Sequence, residues 1–99
     1  MKNNNESNVI FFIFEKKWSG LIILVLLGGE KNFSSIKKEI PGISDRILSQ
    51  RLVELRKIGI LKRCVYTEIP IRVKYDLTTK GQVLGKAFSE LCIWNKEYN

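Results

Sequence analysis

Within the segment PGISDRILSQRLVELRKIGILKR, residues 41–63, four polar side chains share one side of a predicted helix: Arg46, Ser49, Gln50 and Lys57. At about 100° per residue, with Leu48 set at zero, Leu52 falls at about 40° and Leu55 at about 340°, which makes an inward seam. Opposite them lie Arg46 at about 160°, Lys57 at about 180° and Gln50 at about 200°, with Ser49 on the flank at about 100°. The only acid nearby is Glu54, off to one side at about 240°. A guanidinium offers a fork of donors, a carboxamide a donor beside an acceptor, and a hydroxyl either one. These complement the edges of guanine and adenine in the DNA major groove, which is wide enough to admit a helix. Arg46, Ser49 and Gln50 fall in the first two turns, the part of such a helix that reaches bases. Lys57 is better placed for a phosphate or the helix C-terminal dipole. The plain alternative is that Arg46 and Gln50 are soluble helix formers. Val53, at about 140°, reads equally as a scattered surface residue or as a contact for a thymine methyl.

Local chemistry marks both ends of this helix. Ser44 is a good N-cap that can also meet DNA, Asp45 complements the dipole, and Ile43 can staple onto Leu48. Gly59 supplies a left-handed exit, with Ile60 placed to reach back to Leu55. Upstream, Phe33, Ile36, Ile40 and Ile43 recur at helical spacing, so a short helix over 33–40 is predicted, and Pro41-Gly42 turns the chain after it. Downstream, 61–67 and 72–77 are β-branched and aromatic runs joined by a loop containing Pro70, the pattern of a hairpin. On its second strand Val73, Tyr75 and Leu77 share one face while Arg72, Lys74 and Asp76 share the other. Thr78 caps a final helix to about Lys96, with Val83, Leu84, Ala87, Phe88, Leu91 and Trp94 as its apolar stripe. At the other end residues 1–7 are read as frayed, Asn8–Phe14 as a helix, and Trp18–Leu27 as a buried helix stopped by Gly28-Gly29. The expected architecture is mainly α with a small β-hairpin wing, a winged helix-turn-helix in a single domain over 1–99.

The charge is localised. Eleven Lys and Arg lie between Lys31 and Lys74 against four acids, and eleven minus four gives +7, the whole net charge; the remainder carries six of each sign. Such a footprint faces a polyanion, although a generally basic proteome would also produce a positive chain. Lys31 and Lys37 attend the short helix, whose N-terminus could receive a phosphate, and Lys62, Arg63, Arg72 and Lys74 decorate the hairpin, so that Lys31, Lys37, Lys62, Arg72 and Lys74 join the candidate DNA contacts. Arg72, beside the loop, is the candidate for a minor groove or backbone grip, the alternative being ordinary strand-edge charge.

Several functions lose their usual parts. Without histidine, a phosphate loop or paired carboxylates, acid-base and metal chemistry are not expected, and the chain is read as no enzyme, with no cofactor and no metal. Cys64 and Cys92 form no CxxC pair and no disulfide framework, so they are read as buried structural thiols in a reducing compartment. The apolar runs at 9–14 and 21–27 are shorter than the roughly 18–20 residues a spanning helix needs, and the chain is read as an intact cytoplasmic protein. A second reading stays open beside the sequence-specific one: a winged-helix module that binds protein, or DNA without sequence preference.

KWSGLIILVLL (17–27), NFSSIKKEIPGISDRILSQRLVELRKIGILKR (32–63) and IPIRVKYDLTTKGQVL (69–84) together resemble the HxlR family of small winged helix-turn-helix transcription regulators, relatives of the MarR type. The resemblance implies a homodimer built from the N- and C-terminal helices, with two recognition helices in successive major grooves of a palindromic double-stranded site. It implies DNA contacts from Ser44, Arg46, Ser49 and Gln50, with the wing around Arg72 on backbone or minor groove. It also accounts for the surplus of apolar side chains at Phe11, Phe12, Phe14, Phe88, Leu91, Trp94 and Tyr98 as a subunit interface, part of which would instead serve one protomer's core. Many family members carry a sensing cysteine about a dozen residues before the tryptophan. Here that region reads NNNESN, so thiol sensing at that position is excluded, and Cys64 and Cys92 are the thiols that could sense instead, the alternative to the structural reading.

Overall fold

The segment SGLIILVL forms the central helix of the domain, and its composition explains why. Ile22, Ile23 and Leu26 have no exposed surface at all, and the helix packs against three other helices and a strand, with Leu21 left at the surface. The computed structural model describes the backbone from Asn4 and the side chains from Val9 to the C-terminus. In chain order the elements are α1 (Asn4–Glu15), α2 (Ser19–Leu26), α3 (Phe33–Glu39), α4 (Asp45–Lys57), β1 (Leu61–Tyr66), β2 (Arg72–Leu77) and α5 (Thr79–Tyr98). This is the winged helix-turn-helix expected from the residues. Ile36 from α3, Leu48, Leu52 and Leu55 from α4, and Ile60, Leu61 and Leu77 from the wing base close over α2.

Two expectations need correction at the N-terminal end. The polar stretch read as frayed is helical from Asn4 onward, and residues 1–3 lie outside the described part. Once the apolar run from Val9 to Phe14 has formed its turns, extending the helix by one more residue costs little. Trp18, expected inside α2, instead precedes it with φ 83°, in the left-handed region that side chains rarely occupy. A non-glycine residue there costs on the order of 1–3 kcal/mol. The corner is over-determined: the Trp18 ring packs on the core, its edge lies against Gly42, and the Lys17 ammonium sits 4.8 Å from its centroid.

β1 and β2 pair antiparallel with Leu61 opposite Leu77 and Tyr66 opposite Arg72. Lys31 adds a bridge on the outer side of β2, exchanging main-chain hydrogen bonds with Tyr75 at 3.0 and 2.8 Å. α5 starts against the wing base, where the Thr78 hydroxyl accepts from Gly81 N at 3.1 Å and donates to Gly59 O at 2.6 Å. A Cβ at Gly81 would collide with the Ile60 carbonyl oxygen, so only glycine lets the helix approach this closely. At its far end α5 leaves the domain: every residue from Leu91 to Asn99 is exposed. The radius of gyration is 14.3 Å, against about 13 Å for a compact chain of this size.

Candidate nucleic-acid interface

The helix that carries the candidate base-reading residues is held at both ends as its sequence requires. Ser44 Oγ accepts from Ile47 N at 3.1 Å, a cap worth about 1 kcal/mol. At the exit Gly59 has φ 80°, Gly59 N donates to Arg56 O at 3.0 Å and Ile60 N to Leu55 O at 3.0 Å, a complete Schellman pair. With Leu48, Leu52 and Leu55 buried, the register of α4 is fixed, and Ser44, Arg46, Ser49 and Gln50 all stand exposed on the other side. Val53, on the same side, is 46% exposed.

The turn before α4 has its own lock. Lys37 Nζ donates to Ile43 O at 2.8 Å and stands 3.2 Å from Asp45 Oδ1, so its charge is already engaged within the protein. Lys31 is likewise paired, 3.3 Å from Glu39 Oε2, and half-buried. Of the two lysines read as phosphate contacts near α3, both hold the scaffold in this conformation.

On the wing, Lys62 faces Asp76 across the strands and Lys74 faces Cys64. Arg72 reaches back to Glu68 at 3.5 Å with both side chains well exposed, an ion pair that solvent and salt weaken readily. Arg72 and Lys74 border a groove shared with Asn32 and Ser34 at the start of α3. That juxtaposition joins the short helix to the wing.

A second groove was not legible in the sequence as a unit. Val53, Arg56, Lys57, Lys62 and Arg63 line a hollow of about 510 Å³ between α4 and β1, with four cations and no acid in its wall. On a wheel Arg56 lies on the flank of α4, so helical periodicity alone does not mark it. Only the path of β1 past the end of that helix brings it beside Lys62 and Arg63.

Glu30 and Tyr66 tie the wing to the link between α2 and α3. The Tyr66 hydroxyl donates to both Glu30 oxygens, at 2.7 and 2.9 Å. That hydrogen bond, reinforced by desolvation and by the carboxylate's charge, pushes the phenol pKa up to about 12.

The cysteines differ from expectation. Cys64 is half-buried and Cys92 is exposed, so neither is a buried structural thiol. Cys64 sits in a two-stranded ribbon that leaves it half-buried, and Cys92 lies on the exposed C-terminal stretch of α5. Of the apolar residues assigned to a subunit interface, Phe11, Phe14, Leu91, Trp94 and Tyr98 are between 52% and 71% exposed. Phe88 is buried, edge-on to Phe14 at 5.6 Å, and Phe12 packs partly against the core. Among the described residues no helix is long and apolar enough to cross a membrane, and no group of three metal-ligating side chains is assembled.

Comparison with known proteins agrees with this geometry. The profile of the HxlR-like helix-turn-helix family matches residues 13–99. The chain is 42% identical over 86 residues to the HTH-type transcriptional regulator YvaP of Bacillus subtilis, covering 87% of this chain and 80% of that one. It is 42% identical over 88 residues to the HTH-type transcriptional regulator YodB of the same organism, covering 89% and 79%. The reduced form of YodB superposes with a TM-score of 0.83 over 99% of this chain and 94% of that one, at 41% identity. A MarR-family transcriptional regulator from Enterococcus faecalis V583 superposes equally well, with a TM-score of 0.83 at 31% identity over 99% and 89%. The chain belongs to the HxlR-like helix-turn-helix family of transcriptional regulators.

Proposed function

We propose that this regulator binds a palindromic double-stranded DNA site as a homodimer, with α4 of each protomer in a major groove and the wing on backbone or minor groove. The observation that carries the reading is the outer face of α4. Arg46, Ser49 and Gln50 stand exposed on a helix fixed by a cap, a Schellman exit and three buried leucines. A rigid helix presenting a fork of donors beside a carboxamide is suited to distinguishing base pairs, not merely to gripping phosphate. The cation-lined hollow beside it, and Arg72 and Lys74 on the wing, supply the sequence-independent attraction. The dimer is supported by Phe11 and Phe14 on α1 and Leu91, Trp94 and Tyr98 on α5, each more than half exposed within one protomer. A regulator in this role works in the cytoplasm beside the chromosome.

The experiment is selection of bound sites from a random duplex pool, followed by affinity measurements across salt concentrations. The expected result is a two-fold symmetric site with half-sites about one helical turn apart and a steep salt dependence. Arg46→Ala is expected to relax preference at one position in each half-site by about 1–3 kcal/mol. Recovery of sequences no better bound than random duplex would overturn the reading in favour of non-specific binding.

A further inference from the structure

Glu54 occupies a position where an acid is costly for a helix that approaches a polyanion. It is the one acid in α4 beyond the first residue, and it lies beside the outward face. Its surroundings explain its presence. Arg51 Nη1 donates to Glu54 Oε1 at 3.2 Å, and Gln50 Nε2 donates to Glu54 Oε2 at 3.4 Å, so each carboxylate oxygen has one partner. Arg51 is itself anchored, because its Nε donates to the main-chain oxygen of Lys17 at 2.9 Å, at the corner between α1 and α2. The Arg51 and Glu54 side chains are only 12% and 20% exposed, so this pair is shielded more than an ordinary surface ion pair. The result is a chain of hydrogen bonds from the scaffold to the amide of Gln50, while the rest of Gln50 is exposed.

The chemistry of that amide makes the contact matter. A glutamine NH2 has two donors and its carbonyl oxygen is an acceptor. Adenine offers the major groove one acceptor, N7, and one donor, the N6 amino group, whereas guanine offers two acceptors, N7 and O6. A free amide can turn either edge outward or aim both N–H groups at guanine. With one N–H given to Glu54, the amide retains one N–H and one acceptor for a base, the pair that adenine complements. The reversed amide would bring its oxygen against the carboxylate.

We propose that Glu54, held by Arg51, is a positioning residue that orients Gln50 to read adenine and reject guanine. This rests on α4 being the base-reading helix. The test compares the full-length wild type with Glu54→Ala on duplexes built from the selected site, with adenine or guanine at the position that Gln50→Ala shows to be read by Gln50. Wild type is expected to favour adenine, and Glu54→Ala to lose about tenfold of that ratio. Affinity of Glu54→Ala for random duplex is expected to hold or rise, since a negative charge has been removed. In a Gln50→Ala background, adding Glu54→Ala is expected to leave the ratio unchanged. The ratio is taken on a single protein preparation, so a partly unfolded fraction does not distort it.

Retention of the adenine preference in Glu54→Ala would overturn the proposal while leaving base reading by α4 intact. So would an equal loss of the ratio in the Gln50→Ala background, because Glu54 would then be acting on something other than Gln50. A wild type without base preference at any position would defeat the base-reading role of α4 itself, and the proposal with it.

Discussion

Lys37 Nζ donates a 2.8 Å hydrogen bond to the main-chain oxygen of Ile43 and lies 3.2 Å from the carboxylate of Asp45. One side chain on α3 thus bridges the turn and the first residue of α4, fixing the angle at which the reading helix leaves the turn. A phosphate contact and a structural clamp predict different outcomes for Lys37→Met. As a clamp, its loss is expected to cost about 1 kcal/mol of folding stability in denaturant unfolding. The slope of DNA affinity against salt is expected to stay as it was, since a charge committed within the protein displaces no counterion from DNA.

Trp94 and Tyr98 stack on one another at 5.7 Å on a stretch of α5 in which every residue is exposed. In the proposed dimer they are covered. Trp94→Glu with Leu91→Glu is therefore expected to shift the sedimentation coefficient to that of a monomer while far-ultraviolet circular dichroism keeps its helical signal. Binding to a full palindrome is expected to fall to that of a single half-site. A double variant that remains dimeric would remove this face from the interface.

The phenol of Tyr66 is pushed up to about 12 from 10.0 by its hydrogen bond to Glu30. The folded chain therefore keeps that proton to higher pH than the unfolded chain does. The stabilisation is complete below the unfolded value and is lost as pH rises through the folded one. Spectroscopic titration of phenolate absorbance is expected to show one late-titrating tyrosine, and Tyr66→Phe to remove that step and flatten the loss of stability in alkali.

Gly81 lies where α5 meets the carbonyl of Ile60, with no room for a methyl group. Gly81→Ala is expected to push the helix off the wing base and to cost about 1–3 kcal/mol, read as a lower midpoint in denaturant. Exposed helix positions such as Lys86 are expected to accept alanine with little change.

What could be read from the residues was whatever local chemistry decides. The bounds of α4 follow from Ser44 and Gly59, its outward set from a 3.6-residue period, and the hairpin from β-branched runs on either side of Pro70. What escaped depends on residues distant in sequence. Trp18 takes a left-handed turn because the core and Gly42 hold its ring, and no glycine or asparagine announces it. Lys37 and Lys31 look like free cations until the fold sets Asp45, Ile43 and Glu39 within reach. Arg56 joins a basic hollow only because β1 passes beside it. Exposure of Cys92 follows from α5 running on past the domain, which a helical stripe alone does not reveal.

The bridge between Lys31 and Tyr75 has a consequence for how copies of the chain meet. A two-stranded ribbon is marginal by itself in water, and its unpaired rims invite another strand. Here the rim of β2 is capped at its midpoint by the main chain of Lys31, while the open rim of β1 bears the neighbouring cations Lys62 and Arg63. Strand addition is sterically obstructed on one side and electrostatically opposed on the other, so self-association is channelled to the helices and away from sheet growth.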